Sequence, residues 1–72
     1  MRYEIISEDE VVIDHQVNIE YSFDDIEDMY EEAYSESYDD DCDAAYGREW
    51  VINHIKDGYQ GDIWELIYEM VN

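Results

Sequence analysis

Carboxylates spaced four residues apart dominate the middle of the chain. Twelve of the 24 residues at positions 20–43 are Asp or Glu, and none is Lys or Arg. In a helix, residues four apart lie on one face, about 6 Å from each other along the axis. Like charges at this spacing each cost a helix roughly 0.2 to 0.5 kcal/mol. The pattern therefore indicates a displayed anionic surface, with one row of five acids: Asp24, Asp28, Glu32, Glu36 and Asp40.

Calcium binding is an alternative use for some of these acids. Asp39, Asp41 and Asp43 have the spacing of the first three ligands in an EF-hand loop. The rest of the loop does not match, because Ala44 stands where the sharp turn needs Gly and Trp50 stands where a bidentate Glu is needed. A solvated acidic turn is the better interpretation, and we predict no metal and no cofactor.

Catalytic patterns are weak. With 22 acidic residues in the chain, some pair always has a spacing suited to acid–base chemistry, so such a pair carries no information. The sequence has no Ser-His-Asp order, Gly-rich phosphate loop or metal-spaced His/Cys group. His54 is expected to interact with a helix end, and Cys42 is expected to be a small packed side chain. We predict that the protein is not an enzyme.

The charge balance limits the classes of partner. Three Lys and Arg residues against 22 Asp and Glu residues give a formal net charge of −19. Without a basic patch, direct binding to DNA, RNA or an anionic membrane is not expected. A basic protein is the expected partner. Eight Tyr, two Trp and 46% hydrophobic residues favour a folded domain over an acidic disordered chain.

Cysteine use and hydropathy indicate a cytoplasmic protein with one domain, residues 1–72. Cys42 is the single cysteine, so it cannot form an intrachain disulfide. The first residues have no apolar run of signal-peptide length, and no stretch approaches the 18 apolar residues of a membrane span. A chain of this length forms one small core.

The acids must be positioned by a small α+β fold of the order ββααα. Alternating β-branched residues predict a hairpin with strands at residues 2–6 and about 11–19, joined by the polar loop 7–10. Two strands alone are marginal in water, so two or three acidic helices must cover one face of the hairpin. The fold class predicted is thus an N-terminal hairpin covered by helices.

The helix boundaries follow from caps and periodicity. Ser22 and Asp25 resemble a capping box, which starts a first helix at residue 23 that runs to about residue 37. A second helix is predicted at about residues 41–57 with Gly58 at the C′ position, and a third follows Asp62. Residues 39–43 fit either a loop or a helix start. The apolar stripe of the first helix, opposite the acidic row, contains Ile26, Met29, Tyr30, Ala33, Tyr34, Ser37 and Tyr38.

In size, net charge and Asp/Glu/Tyr-rich helices such as residues 23–32, the chain resembles the small acidic DNA-mimic proteins of phages and mobile elements. Those proteins block restriction enzymes, CRISPR effectors or other host DNA-binding proteins. The resemblance implies inhibition of a basic nucleic-acid-binding protein or complex in the host cytoplasm, often by a dimer. The acidic row would act as phosphate surrogates, with secondary contributions from Asp25, Glu31, Asp39, Asp41 and Asp43.

A second hypothesis comes from a different functional class. The same acidic surface would suit a regulatory protein, such as an antitoxin or an assembly factor, that binds a basic protein without a nucleic-acid function. Competition with DNA separates the two hypotheses, because only a mimic must share its binding site with nucleic acid.

Overall fold

The computed structural model describes residues 1–35 and 43–71, which form three antiparallel strands followed by three helices. The strands are β1 (Tyr3–Ile6), β2 (Val11–Asp14) and β3 (Ile19–Ser22), and they are hydrogen-bonded in the order β1-β2-β3. The predicted α+β class, with an N-terminal antiparallel sheet followed by helices, is confirmed.

The sheet has one strand more than the sequence predicts. The predicted second strand, residues 11–19, stops at Asp14, and the chain turns through residues 15–18 before it returns as β3. Asn18 permits the reversal, because its φ of 56° lies in the left-handed region that Asn tolerates better than most residues. The apolar residue Val17 continued the alternation through this turn, and no Asn-Gly or Asp-Gly pair marked it.

One face of the sheet packs against the helices. On this face Ile5, Val12 and Tyr21 are cross-strand neighbours, and Val12 is completely buried. The core continues from Val12 into all three helices, so the sheet and the helices share one cluster of apolar side chains. Its other buried members are Tyr3, Ile26, Met29, Tyr30, Ala33, Val51, Ile52, Ile55, Ile63, Leu66 and Ile67.

The first helix, α1 (Phe23–Ser35), begins as predicted. The Asp25 N–H donates to Ser22 Oγ at 2.9 Å, and the Ser22 N–H donates to Asp25 Oδ2 at 3.0 Å, which completes the capping box. Four members of the predicted apolar stripe are buried, namely Ile26, Met29, Tyr30 and Ala33, and Tyr34 is half-buried. Ser37 and Tyr38 lie outside the described residues.

The second and third helices are α2 (Ala44–Lys56) and α3 (Ile63–Val71). The cap of α2 is Asp43, which accepts a hydrogen bond from the Tyr46 N–H at 3.1 Å, so the helix starts later than the predicted residue 41. Gly58 ends this helix at the predicted C′ position with φ of 102°. Asp62 caps α3 by accepting from the Trp64 N–H at 2.8 Å.

Gly47 allows α1 and α2 to approach each other closely. This residue is buried near the start of α2, beside the Tyr30 ring of α1. A Cβ atom at position 47 would overlap the ring carbons of Tyr30, a side chain that is only 1% exposed. By helix propensity alone, a glycine inside a helix weakens it by about 1 kcal/mol relative to Ala. The structure nevertheless keeps the helix continuous and uses the missing side chain for packing.

Gly47→Ala is therefore expected to destabilise the protein, although Ala favours a helix by about 1 kcal/mol relative to Gly. Overpacking of a filled core costs about 1 to 3 kcal/mol, so we expect the melting temperature to fall by several degrees in circular dichroism. The control is the same change in a Tyr30→Leu background, where the smaller side chain leaves room and the change should be neutral or stabilising. An equal loss in both backgrounds would show that ring overlap is not the cause.

Candidate functional site

One face of α1 consists of carboxylates. All five are exposed, and at 3.6 residues per turn they fall within an arc of about 120°. The arc lies roughly opposite the buried stripe of the helix, so these side chains are exposed to solvent, although one Asp25 oxygen also accepts the Ser22 N–H. The residues of this surface, called the acidic face below, are Asp24, Asp25, Asp28, Glu31 and Glu32.

The acidic face contains five of the ten phosphate surrogates predicted from the sequence. The remaining row members, Glu36 and Asp40, lie outside the described residues, as do Asp39 and Asp41. Asp43 is exposed but separate, because its carboxylate caps α2. Within residues 1–35 and 43–71, the structure therefore brings together the first three acids of the row and the two that flank them.

The turn between β1 and β2 lies beside the start of α1 and carries three more acids. The Phe23 N–H at the start of α1 donates to Glu10 O at 2.8 Å, which places this turn beside the first turn of the helix. Glu8, Asp9 and Glu10 are all exposed. The sequence predicts these three acids only as part of the loop 7–10, since their position beside α1 depends on the pairing of Val11 with Ser22.

The basic side chains do not neutralise this surface. Arg48 Nη1 lies 2.6 Å from Glu27 Oε1, at the margin of α1, and its guanidinium stacks on the Phe23 ring. Arg2 is paired with Asp14, and Lys56 is in the last turn of α2. In the part of the chain that the structure describes, no ion pair joins a Lys, Arg or His residue to the acidic face.

The backbone beneath the acidic face is held from several sides. The helix α1 packs against β3, α2 and α3, and its first turn is fixed by the capping box. Tyr30 and Ile26 anchor its inner side at 1% and 0% exposure. The five carboxylates are thus carried on a helix whose position is determined by the core.

Comparison with protein-family models, curated protein sequences and solved structures finds no match to this chain. The function of the protein therefore has to be argued from its surfaces.

Among residues 1–35 and 43–71, Asp14 is the one buried acid. It is 1% exposed, and its two oxygens accept hydrogen bonds from Arg2 Nε and Nη2, each at 2.9 Å. The Gln16 N–H also donates to Asp14 Oδ1 at 3.0 Å. The hydrogen bonds from Arg2 hold the pKa of Asp14 below its usual value. This pair is structural, and the only sign of it in the sequence is an acid within a predicted strand.

The two histidines, which were candidates for catalysis or metal binding, each contact a neighbouring group of the fold. His54 Nδ1 lies 2.9 Å from Trp50 O, and the two rings are 3.8 Å apart, as expected for a histidine in the last turn of a helix. His15 contacts Glu4 at 3.2 Å. Cys42 lies outside the described residues. Among residues 1–35 and 43–71, no three His, Cys, Asp or Glu side chains are grouped so that they could hold a metal ion.

The helices α1, α2 and α3 have 13, 13 and 9 residues. None of those in the described ranges has both the length and the apolar character needed to cross a membrane.

Added salt is expected to stabilise the protein. Repulsion among acids three or four residues apart on α1 costs on the order of 1 to 2 kcal/mol in total, and 1 M salt shortens the screening length from about 10 Å at 0.1 M to about 3 Å. We expect the melting temperature to rise by several degrees between 20 mM and 1 M NaCl. The rise should be smaller for Asp28→Asn/Glu32→Gln. An unchanged melting temperature would mean that the acids do not repel one another in the folded protein.

Proposed function

We propose that the protein is a DNA mimic, which inhibits a host DNA-binding protein by occupying its nucleic-acid site. A restriction enzyme or a CRISPR effector is the class of target proposed. The observation that carries the proposal is the acidic face: five exposed carboxylates on one side of an anchored helix, without a counter-ion among the described residues.

The charge density of the acidic face is comparable to that of DNA. From Asp24 to Glu32 the helix rises about 12 Å and carries five outward carboxylates. Over the same distance one strand of a DNA duplex carries three to four phosphates, and both strands together carry about seven. A groove lined with Lys and Arg would therefore meet a similar number of anions per unit length.

Rigidity supports the same proposal. A disordered acidic tail loses conformational entropy when it binds, whereas α1 is ordered by its cap and its core contacts before any partner arrives. An ordered array of anions can compete better with duplex DNA, which is itself stiff. Such binding should weaken with salt, because its contacts are between charges.

The proposed partner is a basic protein or complex in the host cytoplasm. The protein itself has three Lys and Arg residues against 22 acids. Two of the three cations are bound to acids of the same chain, at Arg2 and Arg48. This composition favours binding to a nucleic-acid-binding protein over direct binding to a nucleic acid.

The experiment that tests the proposal is competition with DNA. The immobilised protein is used to capture partners from a bacterial lysate, and each captured protein is purified and tested with a fluorescent DNA duplex. A mimic should displace the duplex, so that a captured protein binds one or the other but never both. A control polyanion without helical order, polyglutamate at equal charge concentration, should displace the duplex much less well.

The opposite result has a defined meaning. If the captured protein still binds the duplex while it is bound to this chain, the two do not share a site and the mimicry proposal fails. The regulatory alternative, an acidic partner of a basic protein, would then account for the binding.

A further inference from the structure

The outer edge of β1 borders an open groove. In the sheet order β1-β2-β3 of the described residues, β1 has a neighbour on one side only. The groove has a volume of about 520 Å³, within the range of ligand-binding clefts. Its lining includes the consecutive residues Tyr3, Glu4 and Ile5, whose side chains alternate between the two faces of the sheet, and Ile55 and Lys56 of α2. Because both faces of the strand line it, the groove runs along the strand edge.

The backbone of β1 leaves hydrogen-bonding groups directed toward this edge. The His15 N–H donates to Arg2 O at 2.8 Å across the β1–β2 pair. Hydrogen bonding alternates along an antiparallel strand, so the backbone groups of Glu4 also point to β2, whereas those of Tyr3 and Ile5 point away from the sheet. In residues 1–35 and 43–71, the outward N–H and C=O groups of Tyr3 and Ile5 have no hydrogen-bond partner.

The opposite edge of the sheet is less accessible to a new strand. On β3 the outward N–H of Ser22 is already bonded to Asp25 Oδ2 at 3.0 Å, as part of the α1 capping box. The chain also turns into α1 directly after Ser22. Of the two sheet edges in the described part of the chain, the β1 edge is therefore the one that combines unpaired backbone groups with a groove for side chains.

We propose that β1 is a strand-addition site for an extended, basic segment of a partner protein. Its backbone would pair with the N–H and C=O groups of Tyr3 and Ile5. Alternate side chains of the segment would enter the groove on the side of Ile5 and Ile55. Lys56 also lines this side, so these side chains are expected to be apolar and not cationic. The side chains between them would lie beside Glu4 on the opposite face of the sheet. The segment is thus expected to alternate apolar residues with Lys or Arg.

The negative charge of the chain favours a basic segment at this edge over a second copy of the chain. In an antiparallel pairing of two β1 strands centred on Glu4, the two Glu4 side chains would lie directly opposite each other, which is destabilising. Each copy would also bring a net charge of −19 to the contact. The Glu4 side chain is 58% exposed and its contact is His15, itself half-exposed, so a Lys or Arg from a partner can reach it.

The proposal extends beyond DNA mimicry, because it uses residues that are not in the acidic face. The probe is an eight-residue peptide of alternating Lys and Val, added to the ¹⁵N-labelled protein. We expect the amide signals of Tyr3 and Ile5 to shift and their hydrogen exchange to slow. A second peptide has the same sequence with N-methyl groups on alternate residues, which remove the donors needed for strand pairing while the charge stays the same. It should bind at least ten-fold more weakly.

Variants of the protein complete the test. Glu4→Gln should weaken binding of the unmodified peptide by roughly two- to five-fold, the range of a cross-strand charge pair. The matched control is Glu69→Gln, an exposed acid of α3, which should bind as the unchanged protein does. Asp28→Asn/Glu32→Gln should also retain this binding, which separates the strand edge from the acidic face.

Three results would overturn the proposal. Equal affinity for the two peptides would show that binding is by charge alone. Shifts confined to residues 24–32 would place the peptide on the acidic face. Absence of binding at millimolar peptide would show that the edge does not accept a strand.

Discussion

Asp14→Asn should lower the free energy of unfolding by about 3 kcal/mol, which corresponds to a fall in melting temperature of about 15 °C for a domain of this size. The substitution preserves the shape of the side chain but removes its charge. The amide group would also face the Arg2 guanidinium, a donor against a donor. Arg2 is only 10% exposed, so its charge would lose its counter-ion where water cannot fully replace it.

The pH dependence of unfolding tests whether the loss of the Asp14 charge causes the destabilisation. The folded pKa of Asp14 is lowered from 3.8 by the hydrogen bonds from Arg2. The stability that this group contributes is therefore complete above about pH 4 and is lost as the pH falls through the folded pKa. Urea unfolding at pH 7 and pH 3 should show a smaller difference between Asp14→Asn and the unchanged protein at pH 3. A difference that is the same at both values would assign the loss to packing.

A control variant accounts for the change in net charge. Glu49→Gln removes one negative charge from an exposed position on α2. It is expected to change the free energy of unfolding by less than about 0.5 kcal/mol. If it destabilises the protein as much as Asp14→Asn does, the Arg2 pair has no special role.

The Arg2–Asp14 pair matters because it joins distant parts of the chain. Arg2 Nη1 also donates to Gln60 O at 3.3 Å, and Tyr3 Oη donates to Gly61 O at 2.5 Å, so the start of the sheet is tied to the segment between α2 and α3. Burial raises the pKa of the Tyr3 hydroxyl, which keeps it protonated as a donor. The chain thus uses an arginine for its fold and leaves its outer surface acidic.

Local signals in the sequence were sufficient to predict the start of α1, its buried face and the end of α2. The capping box of Ser22 and Asp25, the buried stripe of α1 and the C′ position of Gly58 each depend on residues within one or two turns, and each was predicted correctly. The third strand was missed because its turn at residues 15–18 has neither Gly nor Pro. The alternation of apolar residues continues through such a turn, so periodicity alone could not reveal it.

The same distinction applies to the candidate site. The acidic face lies within one helix, so a period of 3.6 residues was enough to place Asp24, Asp28 and Glu32 together. The acids at residues 8–10 lie beside the start of α1 only because of the register between β2 and β3. This register could not be predicted from the sequence alone. The inward position of Asp14 likewise depends on which residues face the helices after the strands have paired.

Neutralising the acidic face should reduce the affinity for the target by about 100-fold. The variant is Asp28→Asn/Glu31→Gln/Glu32→Gln, which keeps the first-turn acids Asp24 and Asp25 and the length of each side chain. If each carboxylate contributes about 1 kcal/mol against a basic groove, the loss of three is about 3 kcal/mol, or roughly two powers of ten in Kd. Affinity and its dependence on salt are measured by competition with a labelled duplex, and the salt dependence should also become weaker.

Stability and binding should change in opposite directions in this variant. Removing the three charges relieves repulsion along α1, so we expect the free energy of unfolding to rise by about 0.5 to 1 kcal/mol. A loss of binding together with a gain in stability cannot be attributed to unfolding.

The matched control removes three charges elsewhere on the surface. Glu49→Gln/Glu65→Gln/Glu69→Gln changes exposed residues of α2 and α3 and gives the same net charge. A mimic depends on where its anions lie, so this control should keep its affinity within a few-fold. If both triple variants lose affinity equally, the partner responds only to total charge, and an ordered imitation of DNA is not required. If neither loses affinity, the target binds another surface, and the edge of β1 becomes the first place to examine.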